Sequence, residues 1–206
     1  MPATIDVLWE TPAAILVIGY LLGSLPFGVI LTRLTGAGDL RSIGSGSIGA
    51  TNVLRTGRKG LAALTLIFDL LKGAIAVWIA REISPDDVLL AAVGAFIGHL
   101  YPIWLKFRGG KGVATLAGIW LALAWPVGLT YAAIWLWVLA FMRISSLAGI
   151  SAAIAGPVAA AATGRWDLLP VGIAFAMMVL WKHRSNIGRL LRGEEPKVGG
   201  STTKAA

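Results

Sequence analysis

Seven apolar runs follow one another along this chain and limit what it can fold into. They occupy residues 13–35, 60–80, 88–105, 113–125, 127–142, 147–162 and 168–182. A helix of roughly 20 residues crosses a hydrocarbon core, where only helices and closed barrels satisfy every backbone polar group. Mean hydropathy is +0.79 and 57% of residues are hydrophobic, well above the values of a soluble domain. We therefore predict an all-α, polytopic integral membrane protein with about seven transmembrane helices.

The runs are separated by short polar stretches. At WPVG, residues 125–128, we expect a turn, because Pro126 lacks a backbone donor and Gly128 loosens the chain. The first run has no base before it, so we interpret it as a retained span. No repeat or long linker divides the chain. The sequence thus predicts one membrane-embedded domain over residues 1–197, with a short tail at 198–206.

The distribution of basic residues predicts the orientation in the membrane. Fifteen of the eighteen Lys and Arg lie in the intervals 33–59, 106–111, 143 and 182–206. By the positive-inside rule these intervals are cytoplasmic, which places the N-terminus outside and the C-terminus in the cytoplasm. One base, Lys72, falls within a run three residues after Asp69, a spacing at which the two side chains can form an ion pair on one helix face.

The predicted cytoplasmic loops have an unusual chemistry. GDLRSIGSGSIGATNVLRTGRKG at residues 38–60, KFRGGKGVAT at 106–115 and KHRSNIGRLLRGEEPKVGG at 182–200 combine Gly, hydroxyl or amide side chains, and Lys or Arg. Gly lets successive N–H groups converge on an anion, and Lys or Arg adds matching charge. Flexible turns and contacts with lipid headgroups are the simpler interpretations of each loop alone. Their recurrence on one predicted face favours phosphate binding.

Several kinds of site are excluded or disfavoured by the residues present. The chain has no Cys, which rules out disulfides, thiolate nucleophiles and Cys-based zinc sites. It has only two His as further metal ligands of the imidazole type. GGKG lacks the P-loop spacing GxxxxGK[ST], so a nucleoside-triphosphate site is not indicated. We therefore expect no metal and no cofactor.

Six ordered motifs make the chain similar to a known family. They read GSLPFG, IGSGSIGATNVLR, FDLLKG, GHLYPIWLKFRGGKGVAT, SSLAG and KHRSNIGRLLRGEE, and extend from about Leu21 to Lys197. With these motifs the chain resembles the bacterial acyl-phosphate-dependent glycerol-3-phosphate acyltransferases, the PlsY family. One departure is Ser47, where many members carry Asn; Ser keeps both a donor and an acceptor.

The resemblance implies a reaction and a location. A fatty acyl group would move from acyl phosphate to the 1-hydroxyl of glycerol 3-phosphate, giving lysophosphatidic acid and phosphate in phospholipid synthesis. The active site would lie on the cytoplasmic side of the bacterial cytoplasmic (inner) membrane. Its partners would be the two substrates and membrane lipid, with no nucleic acid.

The resemblance also implies roles for residues. Catalytic roles fall to His183, Asn186 and Ser45. Substrate binding falls to Gly46, Ser47, Gly49, Thr51, Asn52, Arg55, Lys106, Gly109, Gly110, Lys111, Gly112, Ser145 and Ser146. The proton of the attacking hydroxyl goes either to His183 or to the leaving phosphate, and we favour the second, substrate-assisted route. A transporter or binding protein for a phosphate-bearing organic anion is the alternative, but it would place more ionisable residues deep within the spans.

Overall fold

The computed structural model describes residues 4–43 and 46–199, with side chains from residue 11 onward. Within these ranges the chain forms ten α-helices, short 3-10 turns and no strand. The helices are α1 Thr4–Gly23, α2 Phe27–Leu34, α3 Ala50–Leu54, α4 Lys59–Ile83, α5 Val88–Leu100, α6 Val113–Leu123, α7 Trp125–Met142, α8 Ser145–Ala162, α9 Leu169–Lys182 and α10 Arg184–Leu191. The predicted all-α class is therefore confirmed.

Every predicted apolar run is helical, but the runs differ in length. Five segments of the described chain are long and apolar enough to cross a membrane: Thr11–Leu34, Lys59–Ile83, Pro85–Leu105, Trp125–Met142 and Ser145–Ala162. By contrast, α6 has 11 residues and α9 has 14. At 1.5 Å per residue they extend about 17 and 21 Å, short of a hydrocarbon core about 30 Å thick. The structure thus gives five candidate spans, and the count of seven stays a prediction.

The expected turn at residues 125–128 was placed too late. The helix break falls at Ala124, between α6 and α7, and Trp125–Gly128 already form the first turn of α7. Proline is favourable there because the first N–H groups of a helix have no intrahelical acceptor, so the missing donor of Pro126 costs nothing. The sequence signal was a helix start rather than a turn.

The chain divides into two compact units, Met1–Gly128 and Leu129–Ala206, with the boundary inside α7. In the first unit α4 is central and contacts α1, α2, α3, α5 and α6. Helices α1 and α5 approach closely at glycines. A Cβ on Gly23 would lie 2.0 Å from the Ala95 carbonyl oxygen, and one on Gly98 would lie 2.2 Å from the Tyr20 oxygen. Small residues therefore allow this backbone contact, as expected for membrane helices.

In the second unit α8 packs on α9, and α10 follows α9 directly. The C-terminal segment returns to the α7–α8 turn, where the Val198 N–H donates to the Arg143 carbonyl at 2.6 Å. The Arg143 guanidinium in turn donates to the Val198 carbonyl at 3.1 Å. Large apolar side chains such as Trp137 and Phe141 point outward, 61% and 71% exposed. Such a surface matches a lipid environment.

Candidate functional site

The first polar loop, residues 35–58, is held together by a buried amide. Asn52, 2% exposed, donates from Nδ2 to the carbonyls of Leu40 and Ile43 at 2.8 and 2.9 Å. Leu40 and Val53 also pack with Ala62 of α4, which fixes the loop to the central helix. The Asn52 side chain therefore holds the loop in shape.

Arg55 lies at the end of the short helix α3. Its guanidinium donates to Asn52 Oδ1 at 3.2 Å, and the residue is exposed. Arg58, three residues later, donates to the Thr35 carbonyl at 2.8 Å and so closes the loop. Arg55 is thus positioned by the same amide that orders the loop, whereas Arg58 is a tether.

The other predicted residues of the first loop lie around the start of α3. Gly46 has a φ of +67°, and its N–H donates a hydrogen bond to the Ile43 carbonyl at 3.0 Å. Ser47 precedes buried Ile48, Gly49 caps α3 and Thr51 lies in its first turn. Ser45, predicted as catalytic, lies outside the described residues. The structure brings Asn52 and Arg55 into contact with each other.

The second loop, residues 101–112, has a strained backbone. Lys106 and Phe107 adopt positive φ values of 52° and 61°. The left-handed conformation costs about 1–2 kcal/mol for a residue with a Cβ and concentrates at functional sites. The strain is supported by hydrogen bonds: the Phe107 N–H donates to the Pro102 carbonyl at 3.0 Å and the Arg108 N–H to Leu105 at 3.1 Å.

The glycines of the second loop lie against α5. A Cβ on Gly109 would come within 2.1 Å of the His99 carbonyl oxygen, and one on Gly110 within 2.1 Å of His99 Nε2. A Cβ on Gly112 would meet the Phe96 ring at 2.3 Å. The Gly109 and Gly110 N–H groups donate to the Leu100 and His99 carbonyls at 3.2 and 3.1 Å. These glycines are therefore required for packing, and their close approach is to α5.

The two loops meet within the first unit. Ile48 of the first loop packs with Leu105 of the second loop and with Val29 of α2, all buried. Gly28 allows this contact, since a Cβ there would lie 2.1 Å from the Ile48 carbonyl oxygen. The two loops thus share a buried apolar contact on α2.

In the second unit a carboxylate gathers several predicted residues. Glu195 Oε1 accepts hydrogen bonds from Ser146 Oγ at 2.7 Å and from Asn186 Nδ2 at 2.5 Å. Its Oε2 accepts from Arg189 Nε at 2.7 Å. The Glu195 side chain is 4% exposed. Ser146 and Asn186, 40 positions apart in sequence, therefore share one anionic partner.

These contacts set the ionisation of Glu195. Burial raises the pKa of this carboxyl, but the hydrogen bonds from Asn186, Ser146 and Arg189 favour the charged form and outweigh it, so the pKa lies below its usual value. Glu195 therefore stays ionised at neutral pH.

His183 has a defined tautomer. It is 2% exposed, and its Nδ1 lies 2.8 Å from the Val179 carbonyl oxygen. A carbonyl only accepts, so Nδ1 carries the proton and Nε2 is the basic nitrogen of the neutral ring. His183 and Asn186 were expected to face one ligand from one helical turn. Their described partners are different, Val179 for the ring and Glu195 for the amide.

Two further polar residues of the second unit have described positions, the predicted Ser145 and, in the last motif, Arg184. Ser145 begins α8 next to Ser146. Arg184, in the same motif as His183, is exposed, and its guanidinium lies 4.9 Å from the centre of the Trp181 ring. A guanidinium on an aromatic face at the surface suits a headgroup-facing position.

Sequence reasoning missed Glu195, Arg189 as its partner, and His99. Glu195 stands among basic residues in the last motif, and His99 is a polar residue within an apolar run. Those anomalies were the available signals, but neither identifies a contact partner. Among the residues described, no group of three His, Asp or Glu could hold a metal ion.

Comparison with known proteins shows which family this chain is similar to. A family model described as glycerol-3-phosphate acyltransferase matches residues 13–193. A glycerol-3-phosphate acyltransferase of Erythrobacter litoralis is 57% identical over 91% of this chain and 95% of its own length. One of Brucella anthropi is 54% identical, over 89% and 92%.

The fold has solved counterparts. The crystal structure of PlsY, an integral membrane glycerol 3-phosphate acyltransferase, in its glycerol 3-phosphate form, is similar with a TM-score of 0.87 and 36% identity, covering 92% of this chain and 96% of that one. Its lysophosphatidic acid form gives 0.84 and 34%, over 91% and 95%.

Proposed function

Since this chain belongs to the glycerol-3-phosphate acyltransferase family, we propose that it transfers a fatty acyl group from acyl phosphate to the 1-hydroxyl of glycerol 3-phosphate. The products are lysophosphatidic acid and inorganic phosphate, as in phospholipid synthesis. The observation that carries this proposal is the match over nearly the whole chain to PlsY in its glycerol 3-phosphate form. The chemistry of the loops supports it independently, because both substrates carry phosphate and the loops combine basic residues with Gly and hydroxyls.

We propose that the first unit supplies charge for substrate phosphate. Arg55 presents its planar guanidinium from the loop ordered by Asn52, and Lys106 and Lys111 present ammonium groups from the second loop. The strained conformation at Lys106 supports this role, since backbone strain persists where the surroundings enforce it. Gly46, Ser47, Gly49 and Thr51, around the start of α3, are proposed as further contacts. Ser45, outside the described residues, stays a proposed catalytic residue.

We propose that the second unit supplies polar groups that orient a substrate. His183 and Asn186 have roles at the reacting groups, and Ser145 and Ser146 add hydroxyls. Glu195 fixes Ser146 and Asn186 through two hydrogen bonds, so it acts as a positioning residue. We also propose a single enzymatic domain over residues 1–197.

The proposed chemistry is a direct transfer. The glycerol hydroxyl oxygen attacks the acyl carbonyl carbon, the bond from that carbon to the phosphate oxygen breaks, and phosphate leaves. The hydroxyl proton passes to a phosphate oxygen, so no covalent enzyme intermediate is needed. Basic residues near the phosphate stabilise the charge that develops on the leaving group. His183 Nε2 is the alternative acceptor for that proton.

We propose seven membrane spans, with the N-terminus outside. The first loop, the second loop and the C-terminus then lie on the cytoplasmic side of the bacterial inner membrane. The distribution of fifteen of eighteen basic residues supports this orientation. The chain has no Cys, so Arg58→Cys, Asp86→Cys and Lys197→Cys provide single labelling sites. On intact cells an impermeant thiol reagent should label only position 86. Labelling at 58 before lysis would overturn the orientation.

A donor comparison tests the reaction. Purified enzyme should release phosphate and lysophosphatidic acid in equal amounts from acyl phosphate and glycerol 3-phosphate, with or without a chelator. Acyl-CoA and acyl carrier protein thioesters should give no turnover, because the loops lack a nucleotide-binding pattern. Robust turnover with acyl-CoA as sole donor would refute the proposed donor.

A further inference from the structure

Three ionisable side chains that received no role above are buried together in the first unit, and one of them contacts the second loop. Asp69 and Lys72 of α4 are 2% and 3% exposed, and His99 of α5 is 3% exposed. Ionisable groups buried within apolar helices are costly, so they are retained where they do something specific. The reaction proposed above uses none of the three.

The Asp69–Lys72 pair is firmly fixed. Lys72 Nζ lies 2.8 Å from Asp69 Oδ1, as the spacing in the sequence predicted, and donates to the Leu25 carbonyl at 2.8 Å. Leu25 lies in the break between α1 and α2, whose N–H and C=O groups need partners outside a helix. Lys72 also lies 5.8 Å from the centre of the Phe27 ring. The pair therefore joins α4 to that break and forms a polar anchor.

His99 stands between this anchor and the second loop. Its Nδ1 is 3.7 Å from Asp69 Oδ1, within electrostatic reach but too long for a hydrogen bond. The other edge of the ring faces the loop: a Cβ on Gly110 would lie 2.1 Å from His99 Nε2. The Gly110 N–H also donates to the His99 carbonyl. The ring thus contacts the loop backbone immediately before Lys111.

We propose that His99 is a positioning residue for the phosphate-binding loop, backed by the Asp69–Lys72 pair. The inference rests on the proposed function, in which Lys111 faces a substrate phosphate. A charged contact is effective only when its group is held within about 0.5 Å of the productive position. The His99 ring keeps Gly110 at a fixed distance from α5, and the backbone then presents Lys111. Without the ring, the backbone hydrogen bonds of Gly109 and Gly110 to α5 still attach the loop, but the position of Lys111 is less restricted.

A double-mutant cycle tests this coupling through KM. We expect His99→Ala to raise the KM for at least one substrate about tenfold, with kcat within threefold of wild type. Gly110→Ala should raise the same KM, because its methyl group collides with the ring. In the double variant the ring is absent and the methyl has room, so KM should match that of His99→Ala alone. Each KM is measured with the other substrate saturating. The substrate whose KM rises is the one whose phosphate the loop holds.

Gly60→Ala is the matched control, because a Cβ there has nothing within 4 Å. Its KM values should stay within twofold of wild type. If His99→Ala does not fold, His99→Gln replaces it in the same cycle, with a KM rise of about fivefold and the same non-additivity. Unchanged KM values in the His99 variant, or KM effects that multiply in the double variant, would overturn the positioning role while wild-type turnover stands. Absence of wild-type turnover would overturn the proposed function and this inference with it.

Discussion

Replacing Asn52 with Ala should loosen the first loop by an amount that its contacts define. The change removes two hydrogen bonds to the loop backbone, at the Leu40 and Ile43 carbonyls, and the one that Arg55 donates to Asn52 Oδ1. Each carbonyl keeps a backbone donor, the Ile43 N–H at 3.4 Å and the Gly46 N–H at 3.0 Å, so each loss costs about 1 kcal/mol. The two backbone losses, about 2 kcal/mol together, raise the population of the opened loop roughly thirtyfold.

Hydrogen–deuterium exchange of the amides of residues 46–56 measures that opening directly. In Asn52→Ala these amides should exchange up to about thirtyfold faster than in wild type. Ser42→Ala is the matched control, because Ser42 Oγ makes one exposed hydrogen bond in the same loop, to the Asp39 carbonyl. It should change exchange less than about threefold. Exchange like that of wild type in Asn52→Ala would refute the role of Asn52 in ordering the loop, and any loss of activity would then come from its contact with Arg55 or with substrate.

Further predictions concern the charged groups. Arg55→Ala should lower kcat/KM by roughly tenfold to a hundredfold, the value of one charge-assisted contact, whereas the exposed Lys59→Ala should change it little; equal losses would indicate general surface charge instead. His183→Gln should lower kcat/KM about tenfold under substrate-assisted transfer, and a loss above about a thousandfold would make His183 the general base. Because the pKa of Glu195 is lowered on folding, its contribution to stability is complete above the usual carboxyl pKa and is lost as pH falls through the lowered value. Thermal unfolding of Glu195→Gln should therefore depend less on pH in the acid range than that of wild type, and identical profiles would contradict this linkage.

Much of the fold could be predicted from local chemistry. Runs of apolar residues define helices because the backbone in a hydrocarbon environment must satisfy its own hydrogen bonds. The Asp69–Lys72 ion pair follows from a spacing of three on one helix, and the motifs identified the family before any contact was known. By contrast, the WPVG segment was misassigned because Pro signals both turns and helix starts. An apolar run does not fix the length of a helix, and α6 and α9, with 11 and 14 residues, are shorter than a hydrocarbon core is thick.

The sequence by itself determined what depends on neighbours along the chain: helical class, the bias of basic charge and the chemistry of the loops. Only the tertiary structure decided which polar groups meet. Asn52 turns inward to two carbonyls, Glu195 gathers Ser146 and Asn186, and the loop glycines lie against α5 and the His99 ring. These contacts join residues that are distant in sequence, and they depend on how whole helices pack. The same local sequence allows a hydrogen-bonding group to face substrate, lipid or its own protein. Helix packing determines which of these partners it has.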